Sequence, residues 1–198
     1  MKKKLKFKKL MNEYRSLFYE LKYMEAVLRD GNQEFEIYYR HYCEQNDIDL
    51  KALNHKHATR VRQIFSNQTG ITKAVKIKMR QGEFDSKNLF RQIAKRFHPD
   101  TLASDDPRKE EYEGVFKKAS GAIDECRWGE LFDVADQYDL DLEDYDEINK
   151  SLKLDIHRIK KEIQKKKDSY AWLLDECEED MGCKDNVVKR FLKHLFNI

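Results

Sequence analysis

From Phe7 the chain repeats apolar residues at alternating spacings of three and four: Phe7, Leu10, Tyr14, Leu17, Leu21, Met24 and Leu28. A row that regular, sustained over three heptads, specifies one long helix with a buried seam. Met11, Phe18 and Val27 widen the seam, so the helix is expected to pack on more than one neighbour. A second such row, Leu152, Ile156, Ile159, Ile163, Tyr170, Leu173 and Cys177, is interrupted only by Lys166. It predicts a helix of about 30 residues, on the order of 45 Å long. Neither seam can be buried by its own helix, so each needs other helices of the chain or a second copy of it. Only seven glycines and two prolines punctuate 198 residues, while 38% are charged. The fold class these features predict is all-α, built of long helices and helical-bundle segments.

Between the seams the stretch Asn88 to Asp100, NLFRQIAKRFHPD, stands apart. Phe90, Ile93, Ala94 and Phe97 share one helical face, and Lys87, Arg91 and Lys95 line a basic stripe beside it. Pro99 lacks an N–H and drives His98 out of the helical region, so the helix stops there and displays His98 and Asp100 on a loop. Asp105, Asp106 and Pro107 read as the start of the next helix, whose face carries Tyr112, Phe116, Ala119 and Ile123. Two helices of this kind, joined by about ten residues, are expected to pair as an antiparallel hairpin.

These residues resemble the J-domain (DnaJ-like) co-chaperone family. Its second helix typically reads aromatic-Arg-x-x-Ala-x-x-aromatic-HPD, matched here by Phe90-Arg91, Ala94 and Phe97-His98-Pro99-Asp100. Its third helix is matched by Phe116, Ala119 and Ala122-Ile123 with conservative changes. The resemblance covers roughly 71–138. It divides the chain into an N-terminal helical segment (1–70), a J-domain-like segment (71–138), and a long helix with a short return helix (139–198). Three departures stand out. Ile71–Gln81 lacks the family's Tyr-x-x-Leu signature, Thr101 replaces the usual basic residue after HPD, and the Gly/Phe-rich linker and CxxCxGxG modules are absent.

The resemblance implies docking on a DnaK-type ATPase chaperone. The basic face of Lys87, Arg91, Lys95 and Arg96 would meet an acidic surface and set register. Asp100 would pair with an arginine of the partner, His98 would add polar contact and Pro99 would fix the loop. The outcome would be faster ATP hydrolysis by the partner, with no cofactor and no chemistry done by this chain. The flanking helices would target a client or assembly, which the sequence does not identify, or a second copy. The competing reading is a structural or nucleic-acid-associated coiled-coil protein that keeps the hairpin as scaffold, its lysines touching phosphates.

The remaining features are read more plainly. Asp30-Gly31-Asn32 is expected to end or bend the first helix, and a second helix to carry Phe35, Tyr38, Tyr39 and Tyr42. These aromatics are read as interhelical packing rather than base stacking. Asn46 to Asp49 should form a turn with Asp49 capping a helix that shows Leu50, Leu53, His57, Val61 and Ile64 on one face. Trp128-Gly129 looks like a break before a short helix of Leu131, Phe132, Val134 and Ala135, and the acidic run Asp139–Glu147 like a loop. A last helix carrying Val187 to Phe196 should fold back after Gly182.

Six lysines within residues 2–9 are read as a frayed, solvated start; no apolar run follows them, so no secretory signal is expected, and no 18-residue apolar run predicts a membrane span. Cys43, Cys126, Cys177 and Cys183 are read as free thiols of a reducing cytoplasm, with an oxidised Cys177–Cys183 pair as the minor alternative. His41, Cys43, His55 and His57 lack the spacing of a zinc module. No Gly-rich phosphate loop, nucleophile elbow or HExxH is present, so an enzyme is not expected.

Overall fold

The computed structural model describes residues 1–67, 84, 86–103 and 105–198, with the backbone alone for 63–67. The protein is all-α, and among the described residues there is no strand. The helices of the described residues are α1 (Lys2–Gln45), α2 (Leu50–Asn67), α3 (Lys87–Phe97), α4 (Lys109–Asp124), α5 (Trp128–Gln137), α6 (Tyr145–Lys167), α7 (Tyr170–Asp175) and α8 (Met181–Phe196), with a 3₁₀ turn at Pro99–Thr101. The chain groups into two compact units. One takes Met1–Tyr19 and Ile77–Lys161, the other Glu20–Lys76 and Glu162–Ile198. Each thus draws on early and late parts of the sequence, whereas the division into 1–70, 71–138 and 139–198 followed the chain order of the motifs. The segment 71–81, expected to be the first J-like helix, lies outside the described residues.

In the first unit, Phe7, Leu10, Met11 and Tyr14 of α1 are buried together with Ile148, Leu152, Ile156 and Ile159 of α6. The two helices run parallel, as their charge pairs show: Lys3 bonds Asp146, and Lys160 reaches Glu13 at 2.6 Å. The lysine-rich start is therefore helical from Lys2, with Lys3 and Lys8 held by Asp146 and Asp136, instead of a frayed tail. Phe7 and Leu10 anchor that first stretch, so the lysines lie on the outer face of a packed helix.

α5 lies against α1 through an unusually close approach. A Cβ on Gly129 would sit 2.2 Å from the buried Tyr14 ring, so only glycine fits. The break expected at Trp128-Gly129 falls slightly earlier. Cys126 takes a left-handed conformation (φ 54°) and Arg127 N–H closes on Ala122 O at 2.7 Å, the bonding of a Schellman stop to α4. Gly129 is inside α5, and its role is steric. The start of α4 is also displaced. Asp106 and Pro107 form a turn, and the helix begins at Lys109. Asp106 bonds the backbone and guanidinium of Arg108, which holds its carboxyl down at about 2.

In the second unit, α1 continues past Asp30-Gly31-Asn32 without a break, contrary to the sequence expectation. A mid-helix glycine costs about 1 kcal/mol relative to alanine. Phe35, Tyr39 and Tyr42 extend the apolar face beyond it, and their burial outweighs that cost. The helix stops at Asn46–Asp47, where Asp47 has φ 54° and Ile48 N–H bonds Cys43 O at 2.9 Å. Asp49 then caps α2 as its position suggests, accepting from Ala52 N–H at 3.0 Å. The late seam does break. α6 ends at Lys167, Ser169 accepts from Trp172 N–H at 3.3 Å, and α7 restarts at Tyr170. The run Lys165 to Asp168 offers no seam residue, so a serine cap competes successfully with helix continuation. α8 starts at Met181, one residue before the expected turn glycine, with Asp180 as its cap.

The aromatic group is packing material, as expected. Phe35, Tyr39 and Tyr170 surround Phe191 with ring centroids 5.1–5.3 Å away, and Tyr38 Oη donates to Asp185 at 2.8 Å. His57 rests edge-on against Phe196. Cys177 and Cys183 form a disulfide across the turn from α7 to α8 (Cα–Cα 5.6 Å), which corrects the reading of all four cysteines as free thiols. The fold-back places the two Cα atoms within bridging reach, which six residues of sequence separation do not by themselves specify. Cys43 and Cys126 are free. No described helix is long and apolar enough to cross a membrane.

Candidate functional site

α3 and α4 form the expected antiparallel hairpin. Phe90 stacks on Phe116 (5.9 Å between centroids), and seven residues on, Phe97 meets the edge of Tyr112 (4.9 Å). Leu89, Ile93 and Phe97 are buried on one side of α3; Phe97 is fully so, 0% exposed. Burial of a phenylalanine on that scale contributes about 2–3 kcal/mol. Its seating therefore pins the last turn of α3 and with it the start of the loop.

The loop itself is short and well bonded. His98 closes the helix through its N–H to Ala94 O (3.0 Å), then turns to φ −61°, ψ 136°, the extended conformation that the following proline requires. Pro99, Asp100 and Thr101 make one 3₁₀ turn. His98 O accepts both the Thr101 N–H (2.9 Å) and the Thr101 hydroxyl (2.7 Å), so Thr101 serves as an internal strut. The His98 ring leans on Phe116, centroids 5.0 Å apart, and Nδ1 accepts from Asp100 N–H at 3.3 Å. The His98 side chain is 44% exposed and that of Asp100 89%. A carboxylate is thus presented outward from a turn whose backbone is fixed by its neighbours.

The basic residues divide into two groups. Lys87, Arg91 and Lys95 are exposed on α3. Arg96 is exposed as well, but its guanidinium is engaged within the protein: Nη1 donates to Tyr138 O at 2.7 Å and the group lies 5.9 Å from the Tyr138 ring centroid. Tyr138 caps α5, and its ring packs on Phe97 at 4.7 Å. The Tyr138 hydroxyl donates to Glu111 (2.9 Å); burial and that carboxylate together raise the phenol's pKa. Gln92 adds a reciprocal pair with Asp141, donating to its carbonyl at 3.1 Å and accepting its N–H at 3.0 Å. Tyr138, Glu111 and Gln92 carried no signal in the sequence, because their roles depend on where the chain returns after α5.

Among the described residues no group of three or more His, Cys, Asp or Glu is placed to hold a metal ion. The loop presents one exposed carboxylate and one half-exposed imidazole beside a row of cations on α3. The chain matches no protein-family model, no curated protein and no solved structure.

Proposed function

We propose that this chain is a J-domain-type co-chaperone that docks on a DnaK-type ATPase chaperone and accelerates its ATP hydrolysis. The observation that carries this reading is the setting of His98-Pro99-Asp100, a tight turn directly after a basic helix, with Phe97 buried behind it and Asp100 directed into solvent. Lys87, Arg91 and Lys95 steer encounter with an acidic surface. Asp100 then supplies a charge-assisted hydrogen bond to a guanidinium of the partner, with His98 beside it. The effect is a coupling between two sites of the partner. The remaining helices hold a client or assembly. An ATP-using partner of this kind points to the cytoplasm, where the Cys177–Cys183 bond meets a reducing thiol pool.

The test is the steady-state ATPase rate of a DnaK-type chaperone with and without the protein. The native chain is expected to stimulate, and Asp100→Asn or His98→Gln to abolish stimulation. No stimulation, or equal stimulation by native chain and variants, would sink the reading.

A further inference from the structure

The four cations of α3 are not equivalent, and the difference assigns a role that basic charge alone does not predict. Arg96 is spent on Tyr138 O, a carbonyl at the C-terminal end of α5 that has no partner within its own helix. A cation is favoured there by the helix dipole as well as by the hydrogen bond. Asp139 follows in a left-handed conformation (φ 50°), and Leu140 N–H bonds back to Ala135 O at 2.9 Å. This C-terminal stop aims the next residues along α3, where Asp141 meets Gln92 in two hydrogen bonds. Arg96 and Gln92, four residues apart on one stripe of α3, thus hold the backbone from Tyr138 to Asp141 as a strap.

The strap reaches the recognition loop through one residue. Phe97 lies between the Tyr112 and Tyr138 rings, with centroids 4.9 and 4.7 Å away, and His98 is its chain neighbour. Releasing Tyr138 removes one wall of the Phe97 site and loosens the turn that follows it. We propose that Arg96 and Gln92 are positioning residues: they lock the Tyr138–Asp141 strap on α3 and thereby hold Phe97 and the His98–Asp100 turn in docking geometry. Arg91 and Lys95 act on the partner directly. This inference rests on the co-chaperone reading for its functional consequence, and its structural part stands independently.

Two measurements on the full chain separate the possibilities. The first is amide hydrogen exchange at His98 and Thr101, whose N–H groups are bonded to Ala94 O and His98 O, and it needs no partner. Arg96→Ala and Gln92→Ala should each speed that exchange about threefold or more, the size expected for one exposed hydrogen bond. Arg91→Ala should leave it unchanged. The second is stimulation of a DnaK-type chaperone, titrated at two salt concentrations. Arg96→Ala should lower the maximal stimulation about threefold on the same footing, with the salt dependence of the half-maximal concentration unchanged; Arg96→Lys should recover most of the maximum. Arg91→Ala should raise the half-maximal concentration and flatten its salt dependence.

If Arg96→Ala instead mimics Arg91→Ala, with loop exchange unchanged, the positioning role is overturned. If Arg96→Ala fails to fold, Gln92→Ala decides alone. If the native chain gives no stimulation, the co-chaperone reading fails, and the exchange data still decide the strap: faster loop exchange upholds it, unchanged exchange overturns it.

Discussion

The two units of this molecule bury different chemistry. In the unit carrying the hairpin, polar and charged residues lie inside: Glu130, Asn149, Ser151 and Asp155 are all buried, and Asp155 accepts from Gly129 N–H at 2.6 Å and pairs with Arg158 at 3.2 Å. In the other unit the buried set among the described residues is apolar, built from Leu21, Met24, Leu28, Leu174, Val187, Val188 and Leu192 with a surround of rings, and closed by a disulfide. An apolar core tolerates volume-conserving exchange. Buried polar and charged groups narrow the arrangements that suit them, because each needs its own partner. The His98–Asp100 turn sits on the unit whose interior admits fewer alternatives.

The sharpest way to break that contrast is a methyl group. Gly129→Ala in the hairpin unit drives a Cβ into the buried Tyr14 ring and should cost about 3 kcal/mol, at the upper end of overpacking effects. Gly31→Ala in the other unit meets nothing within 4 Å and gains helix propensity, so it should stabilise by up to about 1 kcal/mol. Urea unfolding of the two variants tests the pair. Equal and small effects would show that α5 does not depend on its close approach to α1.

Next in size is the disulfide. Closing a loop between residues six apart restrains the unfolded chain by about 2 kcal/mol in the chain-entropy picture. Cys183→Ser, or a reducing thiol, should lower the stability of the α7–α8 unit by that amount. Amide protection in α3 and α4 should stay as it was. Loss of protection in the hairpin as well would show that the two units unfold together, and the contrast would then be one of composition only.

What the sequence disclosed follows from how far each signal reaches. Periodicity and caps are local, so the α1 and α6 seams, the α3–α4 hairpin, the Asp49 cap and the all-α class were legible in residues a few positions apart. The continuation of α1 through Gly31 was not, since the gain comes from Phe35, Tyr39 and their partners on α7 and α8. Nor was the break before Tyr170, which turns on a serine outcompeting a charged run. At the site, the outward row of cations could be read from spacing of four. That Arg96 binds a carbonyl 42 residues away could not, because the stop at Asp139 that returns the chain to α3 is set by backbone conformation. The Cys177–Cys183 pairing likewise depended on the turn that brings the two together.

The smallest effect is the most specific to the hairpin unit. Burial raises the Asp155 carboxyl above the ordinary carboxylate value, and the Gly129 N–H and Arg158 offset only part of that rise. The folded state therefore keeps its proton at pH values where the unfolded chain, titrating near pH 4, has already lost it. Where the folded state binds more protons, stability falls as pH rises. Asp155 should thus lower stability from about pH 4 up to its folded-state pKa and add no further slope beyond it. In Asp155→Asn, whose amide oxygen can still accept from Gly129 N–H, that slope should vanish. The check is the urea midpoint at pH 4 and pH 7 for both proteins, with the native chain losing more, or gaining less, than the variant on going to pH 7. Among its described residues the other unit has no buried carboxylate, so protection of its α8 amides should show no such difference between native chain and variant. A steeper loss in the variant would mean that the Arg158 pair outweighs the desolvation of Asp155, and the buried charges would then count as a net source of stability for the hairpin unit.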